Sequence, residues 1–111
     1  MNEEPSTLQK KIVKDLAPKL FDLTENVLFG DVWERPGLSK RDRCLATVSA
    51  LIAMNRAEQL RFYLERALEN GVAKNELVEV ITHLAFYSGW PTAMNAITLA
   101  KEIFSKMEEK E

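Results

Sequence analysis

One cysteine, one histidine, four glycines and four prolines are all that 111 residues supply of the types that most often staple, ligate or break a fold. Cys44, being alone, can form neither an internal disulfide nor a Cys-x-x-Cys pair, which excludes a stapled secreted scaffold and a self-contained dithiol mechanism. A single histidine without clustered cysteines leaves only carboxylates to complete a metal site, so no metal is expected. No apolar run approaches the roughly 18 residues that a bilayer span needs. The leading MNEEPSTLQKK has acids and lysines where a secretion signal needs an apolar segment, so a cytoplasmic protein is expected. Charge of one sign is missing too: 15 Lys and Arg oppose 17 Asp and Glu, with no block that could track a phosphate backbone or an anionic membrane. Neither nucleic acid nor a membrane is an expected partner.

What is present is helical spacing. The 46% apolar content suffices for one compact domain, of modest stability unless subunits associate. Clean period-two alternation is absent, and the expected fold is all-α, a bundle of about six helices. Ser6 followed by Gln9 has the form of a capping box opening a helix through Leu16, and Pro18 restarts it toward Val27. Residues 1–30 therefore read as a helical arm, 31–107 as the main helical domain and 108–111 as a charged tail. FGDVWERPG, residues 29–37, predicts an ordered loop held down by Trp33. Ser39 with Asp42 begins the next helix, which puts Leu45, Val48, Leu51 and Ile52 on one side. A tight break is expected at Asn55-Arg56. The next stripe, Leu60, Tyr63, Leu64, Ala67 and Leu68, turns Tyr63 inward and stops at Asn70-Gly71. The last helix, with Pro91 in first position, buries an alanine-rich face through Met107.

The segment from Lys74 to Ser88 differs from the others. Its entry has Glu76 at the third position but Ala73 where a Ser or Thr would cap better. Leu77, Val80, Ile81, Leu84 and Ser88 form one side, while Glu79, His83 and Phe86 fall on another. A helix apolar on nearly its whole circumference must be central or covered by another subunit, and a subunit interface is the expectation. Glu79 and His83 are one turn apart; a carboxylate there favours the protonated imidazole and fixes its tautomer, so the pair could move a proton. The plainer alternative is a chance spacing with His83 as a packing residue. Cys44 lies near Arg41 and Arg43, which would favour a thiolate, or it is a small apolar filler. KRDR, residues 40–43, is either an anion site at a helix start or a solvated charged turn.

Three stretches, DVWERPGLSKRDRCLATVSALIAMNR, LRFYLERALENGV and ELVEVITHLAFYSGWPTAMNA, occur in an order and spacing that resembles the carboxymuconolactone decarboxylase family across residues 31–104. The resemblance implies an alkylhydroperoxidase-like helical fold and a ring-like homo-oligomer, a trimer or a hexamer, with pockets near subunit contacts. It also implies cofactor-independent loss of carbon dioxide from a lactone acid in aromatic-compound breakdown. In that setting His83 would be general acid/base, Glu79 would orient it, and Arg41 or Arg43 would hold a small carboxylic-acid substrate, with Trp33 and Trp90 lining the site. Tyr63 stands where histidine is usual in similar sequences, and a phenol donates a proton more readily than it accepts one at neutral pH. The peroxidase branch of the same superfamily uses a Cys-x-x-Cys pair, whereas NRAEQLRFY has no cysteine. Two other functions stay open: a non-enzymatic acid-binding or assembly module, and a redox protein that borrows a partner's thiol.

Overall fold

The computed structural model describes residues 5–110, and among them every regular element is helical. The chain divides into two compact units, one up to Leu38 and one from Ser39 onward. The first holds α1 (Pro5–Leu16), α2 (Pro18–Asp22), a π-helical stretch (Leu23–Phe29) and a 3₁₀ turn (Val32–Glu34). Pro18 opens α2, as its fixed φ and missing N–H suit a first helical position. Lys10 faces Glu25 at 3.7 Å, and the Lys14 ammonium stands 5.6 Å from the centre of the Phe21 ring, so α1 folds back on α2 and the π-helical stretch. Trp33 is buried, with the Phe29 ring 6.2 Å away. The side chain of Ser6, expected as a cap, lies outside the described residues.

The second unit is built from α3 (Lys40–Met54), α4 (Ala57–Glu69), α5 (Lys74–Ser88) and α6 (Trp90–Lys110). Ser39 caps α3 as its sequence pattern predicts: the extended residue's Oγ accepts from the Asp42 N–H at 3.0 Å. Asn55 ends α3 in the left-handed region at φ 58°, a conformation Asn tolerates better than branched residues. Each helix then turns one stripe inward: Cys44, Val48 and Ile52; Leu60, Leu64 and Ala67; Leu77, Ile81 and Ala85; and, on α6, Ala93, Ala96, Ala100 and Ile103. The small side chains of α6 let its neighbours approach closely. Both α3 and α6 pack against α4 and against α5, which places α4 and α5 on opposite sides of the pair. No polar or charged residue among those described is fully buried. Of the expected charged tail, residues 108–110 are helical, since α6 runs through Lys110, and Glu108 reaches Lys74 at 3.4 Å.

The entry to α5 replaces a cap with a clamp. Ala73 has the extended backbone of an N-cap but no side chain to accept a hydrogen bond. Glu76 supplies the other half of the capping box, its Oε1 accepting from the Ala73 N–H at 2.9 Å. Its Oε2 accepts from Arg41 Nη2 at 2.5 Å and so ties the start of α5 to the start of α3. The Ala73 N–H first, and then Arg41, hold the Glu76 carboxyl below its ordinary value of 4.5. At the far end of α5, Gly89 adopts φ 105° and ψ 155°, a region that is essentially restricted to glycine. Thr92 Oγ1 pins this bend by donating to the Gly89 carbonyl at 2.9 Å, and lies 2.8 Å from Ser88 Oγ.

Both ends of α5 can be probed through stability. An added Cβ at Gly89 would meet only Pro91 Cδ at 3.8 Å, so the cost of Gly89→Ala is backbone strain, about 1–3 kcal/mol, read as a lowered urea midpoint. A native carboxyl held low stabilises the fold above the unfolded value and loses that effect as pH falls through the native one. Glu76→Gln is therefore less stable than the parent at pH 7, and the two converge in urea titrations as pH falls through the range in which the native carboxyl is protonated.

Candidate active site

The chemistry-bearing residues are distributed by helix periodicity. On α5 the core direction is set by Leu77, Ile81 and Ala85, and at ~100° per residue His83 lies about 160° round from Ile81. His83, Glu79, Phe86 and Tyr87 consequently leave the core of their own unit and are exposed. The imidazole packs on Tyr87, one turn later, with ring centres 4.8 Å apart and planes inclined by 36°. Among the described residues no hydrogen bond or ion pair joins Glu79 to His83, so the two carry the right spacing without being locked together. Phe86 meets Trp90 edge to face at 5.5 Å across the Gly89 bend, and Trp90 and Met94 are exposed beside them. The outcome is one aromatic face bordered by the sole imidazole.

Tyr63 has a different environment on α4. It is half-buried beside the exposed Phe62, in an edge-to-face pair with ring centres 5.0 Å apart. Burial pushes its phenol above the ordinary value of 10.0, the Arg66 charge opposes that shift, and the Cys44 thiol adds to it. The phenol is thus protonated at neutral pH and suited to donating. Cys44 is wholly enclosed, and burial also pushes its thiol up, with Arg66 pulling it down and Glu69 raising it. A protonated, inaccessible sulfur is a packing atom and a poor nucleophile. The influence of Arg66 on both groups was missed in the sequence; its position three residues after Tyr63, on the same side of a helix, was the available signal.

Of the arginines, Arg41 is engaged by Glu76 and Asp42, at the end of α5 that begins about 10 Å of helix rise before His83. Arg43 is half-buried on the first turn of α3. Trp33 belongs to the first unit, where it is buried, and Trp90 opens α6 in the exposed aromatic face. Within the second unit the fold brings Trp90 to the same face as His83, while Tyr63 is carried on a helix across the bundle and Arg41 is held at the far end of α5. Among the described residues no three His, Cys, Asp or Glu side chains gather as a metal site requires, and no helix is long and apolar enough to cross a membrane.

Comparison with known proteins gives these residues a family context. Residues 18–102 match the model of the carboxymuconolactone decarboxylase family. The chain is 40% identical over 79 residues to a 4-carboxymuconolactone decarboxylase of Acinetobacter baylyi, covering 71% of this chain and 59% of that one. It is 32% identical over 82 residues to nitrosuccinic acid decarboxylase of Metarhizium robertsii, covering 74% and 57%. A 15.0 kDa protein of Paracoccus denitrificans is 31% identical over 84 residues, covering 74% and 63%. The matched region spans roughly three-fifths of the length of each relative. It also takes in all of α3, α4 and α5, with His83, Tyr63 and the Gly89 bend that the geometry singles out. The chain belongs to the carboxymuconolactone decarboxylase family.

Proposed function

We propose that the protein is a cofactor-independent carboxy-lyase that removes carbon dioxide from a small carboxylated, lactone-type molecule in a pocket between copies of the chain. The family match carries this reading, together with relatives whose names describe decarboxylation of two different acids. An unsaturated lactone and a nitro group have one property in common: each accepts the electron pair left when a neighbouring C–C bond breaks. The reaction then needs an ionised carboxylate to leave as carbon dioxide, delocalisation of that pair, and an acid to protonate the carbon. His83 serves as that acid and recovers its proton from water. Glu79, one turn away, orients the ring as the substrate closes over it. Tyr63 donates a hydrogen bond to the developing negative charge, a role matched to a phenol that burial keeps protonated.

The substrate carboxylate falls to Arg43 or to Arg41, with Trp90 as an apolar wall. Arg41 would have to exchange Glu76 for substrate. A homo-trimer or hexamer in the cytoplasm completes the reading. The non-enzymatic alternative draws on the exposure of His83 and its missing hydrogen bond to Glu79; it requires binding of an organic acid without product. The thiol-redox alternative is disfavoured by the enclosure of Cys44.

With 4-carboxymuconolactone as probe, carbon dioxide release and loss of the lactone are expected from the parent protein. His83→Ala should lower kcat about 10²–10⁴-fold while circular dichroism stays unchanged. Retained kcat in that variant, or probe binding without any product, would overturn the assignment of His83 as the acid.

A further inference from the structure

We propose that Tyr87 is a positioning residue for His83: its ring lies against the imidazole and selects the rotamer from which the proton is delivered, without occupying either ring nitrogen. The contact stands on geometry alone; its effect on turnover rests on the functional reading above.

His83 is exposed on the side of α5 turned away from the core of its own unit. On a helix a χ1 near +60° is disfavoured, which leaves two staggered wells and a ring free to turn beyond them. An acid that must meet a carbon atom gains from losing that freedom, since a misplacement of about 1 Å can cost roughly 100-fold in rate. Glu79 has the spacing to fix the ring, yet no hydrogen bond joins the two among the described residues. The contact that His83 does make is with Tyr87, ring centres 4.8 Å apart and planes inclined by 36°.

Helix geometry accounts for the pairing. Long side chains on a helix lean toward its N-terminus and cover the turn before their own Cα, so Tyr87 lies back over His83 one turn earlier. Phe86, the other aromatic within reach, is committed elsewhere, meeting Trp90 at 5.5 Å with planes 80° apart. Tyr87 is 76% exposed and its hydroxyl has no hydrogen-bond partner among the described residues, which leaves the imidazole as the group its ring engages. The helix end that carries it is fastened: Ser88 Oγ donates to the Leu84 carbonyl at 3.0 Å, and Thr92 Oγ1 to the Gly89 carbonyl at 2.9 Å. Tyr87 is therefore mounted on a fixed turn.

The inclination decides what the contact can do chemically. Imidazole exchanges protons through nitrogens that lie in its own plane. A neighbour tilted by 36° covers a face of the ring, whereas an edge-on neighbour would draw an N–H into its π-cloud. Holding the ring by its face leaves one nitrogen for Glu79 and the other for the substrate carbon. An aromatic pair of this kind favours the joined arrangement about 2- to 12-fold over the separated one, and that ratio bounds the effect expected on turnover.

The presence of one histidine makes the contact directly observable, because only His83 contributes imidazole C–H signals to a carbon–proton spectrum of the intact protein. Those signals should lie upfield in the parent and in Tyr87→Phe, and move to the positions of an unstacked histidine in Tyr87→Leu. Tyr87→Gln replaces the leucine variant should circular dichroism show a disturbed fold. Equal positions in the parent and the ring-free variant overturn the contact. With 4-carboxymuconolactone, Tyr87→Leu should lower kcat about 2- to 12-fold at unchanged KM, and Tyr87→Phe should restore it. An unchanged kcat without the ring, a loss of kcat in Tyr87→Phe, or a rise in KM alone overturns the positioning role, the second by assigning chemistry to the hydroxyl and the third by making Tyr87 a substrate contact. A parent that releases no carbon dioxide defeats the functional reading and the positioning role together, while the spectra still decide the contact.

Discussion

α5 carries more apolar surface than a four-helix core can cover. One side, Leu77, Ile81 and Ala85, is consumed by packing in its own unit, and the opposite side still presents Phe86 and Tyr87 to water. Burying such rings is worth several kcal/mol in total at about 25 cal/mol per Å². A helix with this composition is incomplete as an isolated element, and the rest of the structure is organised around that fact. The Glu76 clamp fixes where α5 starts, and the Gly89 bend fixes where it stops. Between those points the periodicity of the helix decides which residues go to the core and which go outside.

His83 inherits its position from that division. A residue two positions before Ala85 and two after Ile81 cannot share their direction, so the only imidazole in the chain is placed on the outer face together with the aromatics. The same rule sends Tyr63 toward the core from the other side of the bundle. His83 and Tyr63 are thus carried by helices on opposite sides of the α3–α6 pair. Family membership supports the reaction class proposed above.

Much of this was legible in the sequence because it depends on local rules. The Ser39 cap, the left-handed break at Asn55, the stop at Asn70-Gly71 and the two faces of α5 all follow from spacing and residue type, and the helices form where those signals place them. The weak entry of α5 was visible in Ala73, but its remedy was not: the Arg41–Glu76 pair joins residues 35 apart, and no periodicity reports a contact between two helix starts. For the same reason Arg41 looked available for substrate when its side chain is engaged by carboxylates. Of the two readings of Cys44 that the sequence offered, thiolate beside two arginines or small apolar filler, enclosure by the other helices favours the filler. Glu79 and His83 have the spacing of a hydrogen-bonded pair, yet spacing alone sets proximity and leaves rotamers undetermined.

The presence of a single histidine gives the account its most direct measurement. Carbethoxylation of His83, followed by absorbance across a dilution series of the intact protein, reports how far that imidazole is covered. The account predicts rapid modification in dilute samples and strong protection once the chains assemble, with the transition following the change in particle mass. Equal modification rates at every concentration, in a protein shown to assemble, would contradict the claim that a neighbouring copy covers His83.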